Sequence, residues 1–284
     1  MFSKIIDTHV HVWNFEKADY TWLKEDSSIL NRSYHIEELE QPRQEACISE
    51  GVLVQAANNA DDTAWMLEVA EQNDWITGVV GWLPLLNPEQ ATRSLQDKYL
   101  KNKYFKGVRH LIHTEPDAQW LLKSEVMESL KILAKLGLPF DVVGILPSHL
   151  KTALKLADQI PELRMVFDHL NRPPLQEGID NSEWANLMQE ASQHTNFFVK
   201  ISGLGILTSD SKNWESKDIQ PAIEFILKTF GPERCFCGGD WPVSLLGGSY
   251  VKTWEHYKST VSKILNEPEQ DAIFFKNAKL FYDL

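Results

Sequence analysis

The chain has few cysteines, no long apolar run and no excess of basic charge, and each shortage removes a class of function. Only three cysteines occur in 284 residues, at Cys47, Cys235 and Cys237. A sparse, odd set makes no disulfide framework and fits a reducing compartment. Cys235 and Cys237 are too close for a CxxC redox pair and read as small buried groups on a strand. No apolar stretch approaches the ~18 residues of a membrane span. The opening "MFSKIIDTHV" lacks the basic start, apolar run and small-residue cleavage site of a secretion signal. The expectation is a cytoplasmic protein with no membrane partner. Acidic residues outnumber basic ones 40 to 28, a formal charge of -12. Such a surface repels phosphate backbones, so a small molecule is the expected partner and nucleic acid is not.

What is present is a regular alternation. Eight short apolar runs, "KIIDTHVHVW", "SEGVLVQAA", "ITGVVGWLPL", "FKGVRHLIH", "PFDVVG", "RMVFDHL", "FFVKISGL" and "RCFCGGDWP", begin near residues 4, 49, 76, 105, 139, 164, 197 and 234. Helical patterns fill the gaps. In "NPEQATRSLQDKYL", Asn87 is placed as an N-cap with Pro88 at the first helical position. "SEVMESLKILAKLG" has a mostly 3.6-type apolar spacing and stops at Gly137. Strands alternating with helices need crossover connections and so form a parallel sheet. Eight repeats in one chain of this size point to a single α/β domain over residues 1–284, a (β/α)8 TIM barrel. An open doubly wound sheet is the alternative, but it would want a glycine-rich turn after the first strand, and no GxGxxG is there. One connection, residues 13 to 47, is unusually long. Its Trp13, Phe15, Tyr20 and Trp22 make it too aromatic for disorder, and it is expected to cover part of the barrel mouth.

The chemistry-bearing residues fall at strand ends. On a regular strand Asp7, His9 and His11 share a face, with the histidines toward the carboxyl end, where barrels build their active sites. Two imidazoles so placed can reach one metal ion. The sixth strand ends at His169 in "VFDHLNRPP", and the eighth at Asp240 in "CGGDWP". Strand eight closes beside strand one, so Asp240 should neighbour the histidine pair.

These residues carry a resemblance. "IIDTHVHVWNFEKADYTWL", "FKGVRHLIHTEPDAQWLL", "VFDHLNRPP", "FFVKISGL" and "CGGDWPVS" resemble, in order and along essentially the whole chain, motifs of the amidohydrolase superfamily. The likeness is to its amidohydrolase-2 branch and, within that, to the sugar-lactonase-like group. The resemblance implies a hydrolase that opens a sugar lactone such as fucono- or rhamnonolactone. It matches His9 and His11 to the family's HxH, His169 to its sixth-strand histidine, Asp240 to its eighth-strand aspartate and Arg109 to its "GVR" arginine. Binuclear members carry a metal-bridging lysine at the end of strand four; Lys106 lies near that strand's start. Strand five supplies no histidine, only Asp141. At most one divalent metal, zinc first, is therefore expected at His9, His11 and Asp240, with metal-free catalysis as the alternative.

Asp240 is the candidate general base, His169 and Arg109 the groups that polarise the carbonyl, and Asp7 the support of a histidine tautomer. Tyr20, Trp22, Asp141, Lys200 and Arg172 are candidates for holding substrate. Arg109, Lys200 and Asp141 have a plain alternative as barrel-interior salt bridges, Arg172 as a solvated loop residue, and Tyr20 with Trp22 as a hydrophobic lid. His149 is expected to be a surface or packing residue, His113 a rim residue, and His35, His194 and His256 surface residues. His110 should face the helices. Two rival functions remain. Related metal-dependent decarboxylases share the barrel but, as the resemblance is understood, use a fifth-strand histidine. A non-catalytic barrel binding a sugar acid is the other.

Overall fold

The computed structural model describes residues 4–284; the first three residues of the stretch read for a secretion signal lie outside them. The elements in chain order are β1 (Ile6–Val10), α1 (Glu40–Glu45), β2 (Glu50–Val54), α2 (Ala60–Gln72), β3 (Ile76–Gly81), α3 (Pro88–Asp97), β4 (Phe105–His110) and α4 (Ser124–Leu136). There follow β5 (Phe140–Val142), α5 (Pro147–Gln159), β6 (Met165–Phe167), α6 (Glu183–Ser192), β7 (Phe197–Ile201), α7 (Ser216–Phe230), β8 (Cys235–Cys237), α8 (Tyr250–Ile264), α9 (Glu267–Asp271) and α10 (Asn277–Tyr282). All eight strand expectations fall within two residues of an observed start.

The strands pair in sequence order, each parallel to the next. The seam is joined by backbone beyond the last strand: Asp240 N donates to His9 O and His11 N to Trp241 O, both at 2.7 Å. The result is a nearly closed (β/α)8 barrel. Local chemistry sets the helix limits. The Asn87 side chain accepts from Gln90 N ahead of Pro88, and Gly137 ends α4 in the left-handed region that glycine enters without strain. The start of α5 is capped by His149, whose Nδ1 faces the N–H groups of Ile145 and Leu146 at 3.1 and 3.3 Å.

The barrel interior is layered. Ile6, Val52, Val54, Val80, Val166 and Phe236 pack on Ala278, Phe281 and Tyr282 of α10. That helix closes the amino-terminal end, where Lys106 Nζ donates to Asp283 O. Lys106 thus sits at the far end from the strand carboxyl termini. Above the apolar layer lies a layer of charge, and above that a cavity. The long connection from 13 to 47 runs over the mouth, anchored by the Trp13–Tyr34 bridge, and its last part is helical as α1. Cys235 and Cys237 are buried and Cys47 is exposed. Among the described residues no helix is long and apolar enough to cross a membrane.

Candidate active site

The HxH pair does not reach the site by simple strand alternation. Ile6 faces the inner apolar layer. Regular alternation would then turn His9 outward, but the β1–β2 register shifts between Asp7 and Val10. That irregularity brings His9 inward and separates it from Asp7. The Asp7 carboxylate accepts from His9 N, Gly239 N and the Tyr250 hydroxyl on α8. Asp7 therefore holds backbone at the β1–β8 seam and touches no imidazole, which corrects the expected tautomer role. Burial pushes its carboxyl up to about 6.

A second irregularity places the sixth-strand residues. His169, Leu170, Asn171 and Arg172 all have positive φ, between 50° and 60°. Each costs roughly 1–2 kcal/mol for a residue with a Cβ. The turn is held by Trp184 Nε1 donating to Leu170 O at 2.8 Å, and by Ser202, whose Oγ accepts from His169 N and meets His169 Nδ1 at 2.8 Å. Because the turn breaks alternation, both Asp168 and His169 reach the centre. Asp168 was missed in the sequence; its adjacency to His169 implied opposite faces. Asp240 is also left-handed, at φ 57°. Such strain, held by surrounding contacts, is typical of functional positions.

Beneath these groups is a buried charge layer. Lys200 Nζ lies 2.8 Å from Asp141 Oδ2 and 2.9 Å from Asp168 Oδ1, and Arg109 Nη1 lies 2.9 Å from Asp168 Oδ2. Tyr282 donates to Asp141. The Arg109 fork is completed by Gln55, through its side chain and its carbonyl. Burial alone would raise the Asp168 carboxyl, but Lys200, His9 and Arg109 outweigh it and hold it well below the usual range. Burial holds Asp141 up at about 6 against the pull of Lys200. Asp141 and Lys200 are fully buried and bound to one another, so they support the site from below and do not line the cavity. The expected substrate contact is replaced by the interior salt bridge.

The hydrogen bonds fix one tautomer, that of His11. His9 meets a donor at each ring nitrogen, Arg109 Nη1 at Nε2 and Lys200 Nζ at Nδ1, both at 3.2 Å, with Asp168 Oδ1 3.4 Å from Nδ1. A carbonyl only accepts, so His11 Nδ1 donates to Val54 O at 2.7 Å. That leaves the His11 Nε2 lone pair facing Asp240 Oδ1 at 3.5 Å, with His9 Nε2 3.8 Å from the same oxygen. Asp240 Oδ1 is buried and has no hydrogen-bond partner among the described residues. The His11 lone pair facing a carboxylate oxygen, with no proton between them and a second imidazole nitrogen beside it, fits a cation. Burial keeps His9 well below its ordinary pKa and His169 lowered too, the neutral state that ligation requires. His9, His11 and Asp240 form a group able to hold one metal ion; at His9 the ion would replace the Arg109 hydrogen bond.

The cavity above this floor measures about 290 Å³ and is lined by His11, Arg109, His169 and Asp240 below. Trp22, His113 and Arg172 also line it, as does an apolar set that includes Leu111, Val143 and Ile206. Trp22 is fixed by Nε1 donating to Ala56 O. Tyr20 is not part of the lining: its hydroxyl turns away and donates to Asp62 Oδ1. His110 lies outside the barrel, as expected, stacked on Trp120. His149 is 3% exposed and serves as the α5 cap. His194 and His256 are half-buried and face Asp158 and Ser216, so neither is a free surface histidine.

Known proteins match from two thirds to nearly all of the chain. An L-fucono-1,5-lactonase of Burkholderia ambifaria is 26% identical over 98% of this chain and 94% of its own length. One from Burkholderia multivorans is 27% identical over 98% and 96%. A 2-pyrone-4,6-dicarboxylate hydrolase of Comamonas testosteroni is 25% identical over 67% of this chain and 62% of its own. The crystal structure of an amidohydrolase from Burkholderia multivorans with bound zinc superposes with a TM-score of 0.90 at 26% identity, covering 99% of this chain and all of that one. The amidohydrolase family model itself matches residues 6–284. Barrel, converging strand ends and full-length match together place the chain in the amidohydrolase family, as a hydrolase.

Proposed function

We propose that the chain hydrolyses a sugar lactone of the aldonolactone class, as its fuconolactonase relatives do. The observation that carries the reading is the division of labour at Asp240. Its Oδ1 faces His9 and His11, while Oδ2 lies 3.9 Å from His169 Nδ1 and stays free to take a proton. A divalent metal bound at His9, His11 and Asp240 would supply Lewis acidity and a more acidic water. The chain's own groups do the rest. Water adds to the lactone carbonyl carbon as Asp240 Oδ2 takes its proton. Arg109 and His169, both on the cavity floor, hold the carbonyl oxygen as it gains charge. The ring C–O bond then breaks, and Asp240 returns the proton to the departing alkoxide. The product is an open-chain hydroxy acid.

Decarboxylation draws less support. Strand β5 leads into Val143, Gly144 and Ile145, with no imidazole, and Asp141 is tied to Lys200 and Tyr282. Mere binding of a sugar acid would leave the unpartnered Asp240 oxygen and the strained turn without a use. A panel of pentono- and hexonolactones followed by proton release tests the reading. Turnover of at least one is expected; no rate above spontaneous hydrolysis on any member refutes it.

A further inference from the structure

The Arg109 guanidinium is aimed by neutral groups as much as by charge. Its Nη1 meets Asp168, but Nε donates to Gln55 Oε1 at 3.1 Å and Nη2 donates to the Gln55 carbonyl. A guanidinium is a rigid plane, so two fixed acceptors along one edge set the direction of the whole fork. Gln55, fully buried just past β2, is itself held. Its Nε2 donates to Ala57 O and Asn58 Oδ1, both at 3.1 Å. The peptides it rests on are gripped from the other side by Asp62, fully buried in the first turn of α2. Asp62 Oδ2 accepts from Ala56 N at 2.8 Å and Ala57 N at 3.2 Å, and Oδ1 accepts from the Tyr20 hydroxyl at 2.8 Å. Asn59 already caps α2, and all three bonds to the Asp62 carboxylate come from outside that helix. Trp22 adds a second tie from the long connection, at Ala56 O.

From this unbroken chain of hydrogen bonds, and resting on the lactonase reading, we propose that Asp62 is a positioning residue for Arg109. Asp62 fixes the peptides after β2, Gln55 braces against them, and Arg109 is thereby aimed at the carbonyl oxygen as that oxygen gains charge. Tyr20 brings the long connection into the same brace, so the loop over the mouth serves the chemistry as well as the cover. An interaction used in the transition state shows in kcat and not in KM.

Variants assayed on the lactone that wild type opens fastest test this. Asp62→Ala frees the two peptide N–H groups and should lower kcat by about 10²-fold with little change in KM, as a displacement near 1 Å does. Asp62→Asn can still accept from both peptides, and the Tyr20 hydroxyl can turn to accept from its amide, so kcat should stay within about threefold of wild type. Tyr20→Phe removes one donor and should lower kcat by roughly three- to tenfold, the worth of one hydrogen bond. In an Arg109→Ala background, Asp62→Ala should cost nothing further, because its effect passes through Arg109. A folded Asp62→Ala with wild-type kcat, a loss confined to KM, an Asp62→Asn as poor as Asp62→Ala, or full additivity with Arg109→Ala would each overturn the brace. Should Asp62→Ala not fold, Tyr20→Phe decides: an unchanged kcat refutes the proposal. Those failures occur with the wild-type chain active. A wild type that opens no lactone instead removes the lactonase reading, and the brace with it.

Discussion

Replacing Gly203 by alanine should injure catalysis far more than folding, and the structure sets the size of each effect. Gly203 has φ +62°, so alanine pays roughly 1–2 kcal/mol of left-handed strain. Its new methyl would lie 2.7 Å from His169 Nδ1 and 2.8 Å from Asp240 Oδ2. Ordinary contact begins at 3.4 Å, so the two groups must retreat by about 0.6–0.7 Å. Both are held, His169 by Ser202 and Asp240 in its crowd of three histidines. Displacements near 1 Å can cost about 10²-fold in rate. Gly137 is the control. It has φ +69° with nothing within 4 Å of an added methyl, at the end of α4 far from the cavity. Gly137→Ala therefore carries the same strain and no clash. Each variant should lower Tm by about 2–8 °C, read by calorimetry. Only Gly203→Ala should lose about 10²-fold in lactone turnover. Equal turnover in the two variants would refute the claim that His169 and Asp240 act at the spacing seen here.

Asp240→Asn keeps shape and suits a left-handed backbone, since asparagine tolerates φ 57° well. Tm should hold while turnover falls by roughly 10²–10⁴-fold; near-wild-type turnover would move the general base elsewhere. His9→Asn removes one of three proposed metal donors. Zinc retained after dialysis, measured by elemental analysis, should reflect a loss of affinity at least as large as the ~10–100-fold typical of a supporting partner. Unchanged zinc content would exclude His9 as a ligand. Asp62 tests the electrostatics away from the chemistry. Burial raises its carboxyl from 3.8 to about 6, so its contribution to stability is fullest below about pH 4 and is lost as pH rises through about 6. Asparagine cannot titrate there. Between about pH 4 and pH 7 the stability of Asp62→Asn relative to wild type should therefore rise by about 3 kcal/mol, measured by denaturant titration. A pH-independent gap would show that Asp62 ionises normally in the folded chain.

Much of this molecule was written locally. The eight strands, the α3 and α4 limits and the carboxyl-end positions of His11, His169 and Asp240 follow from periodicity, from Asn87–Pro88 and Gly137, and from strand direction; none needs a partner distant in sequence. The orientation of individual side chains was decided otherwise. Asp7 and His9 part company because the β1–β2 register slips between them. Asp168 joins His169 because four consecutive residues turn left-handed, a strain held by contacts from Ser202 and Trp184, both distant in sequence. Lys200, Asp141 and Asp168 look like three unrelated polar residues in the sequence. They become one buried charge layer only when β5, β6 and β7 lie side by side. Tyr20 and Trp22, two residues apart, divide between a buried bond to Asp62 and the cavity wall. Sequence patterns report what a residue does with its near neighbours; burial, ion pairing and strain are set by atoms that only folding brings within a few ångströms.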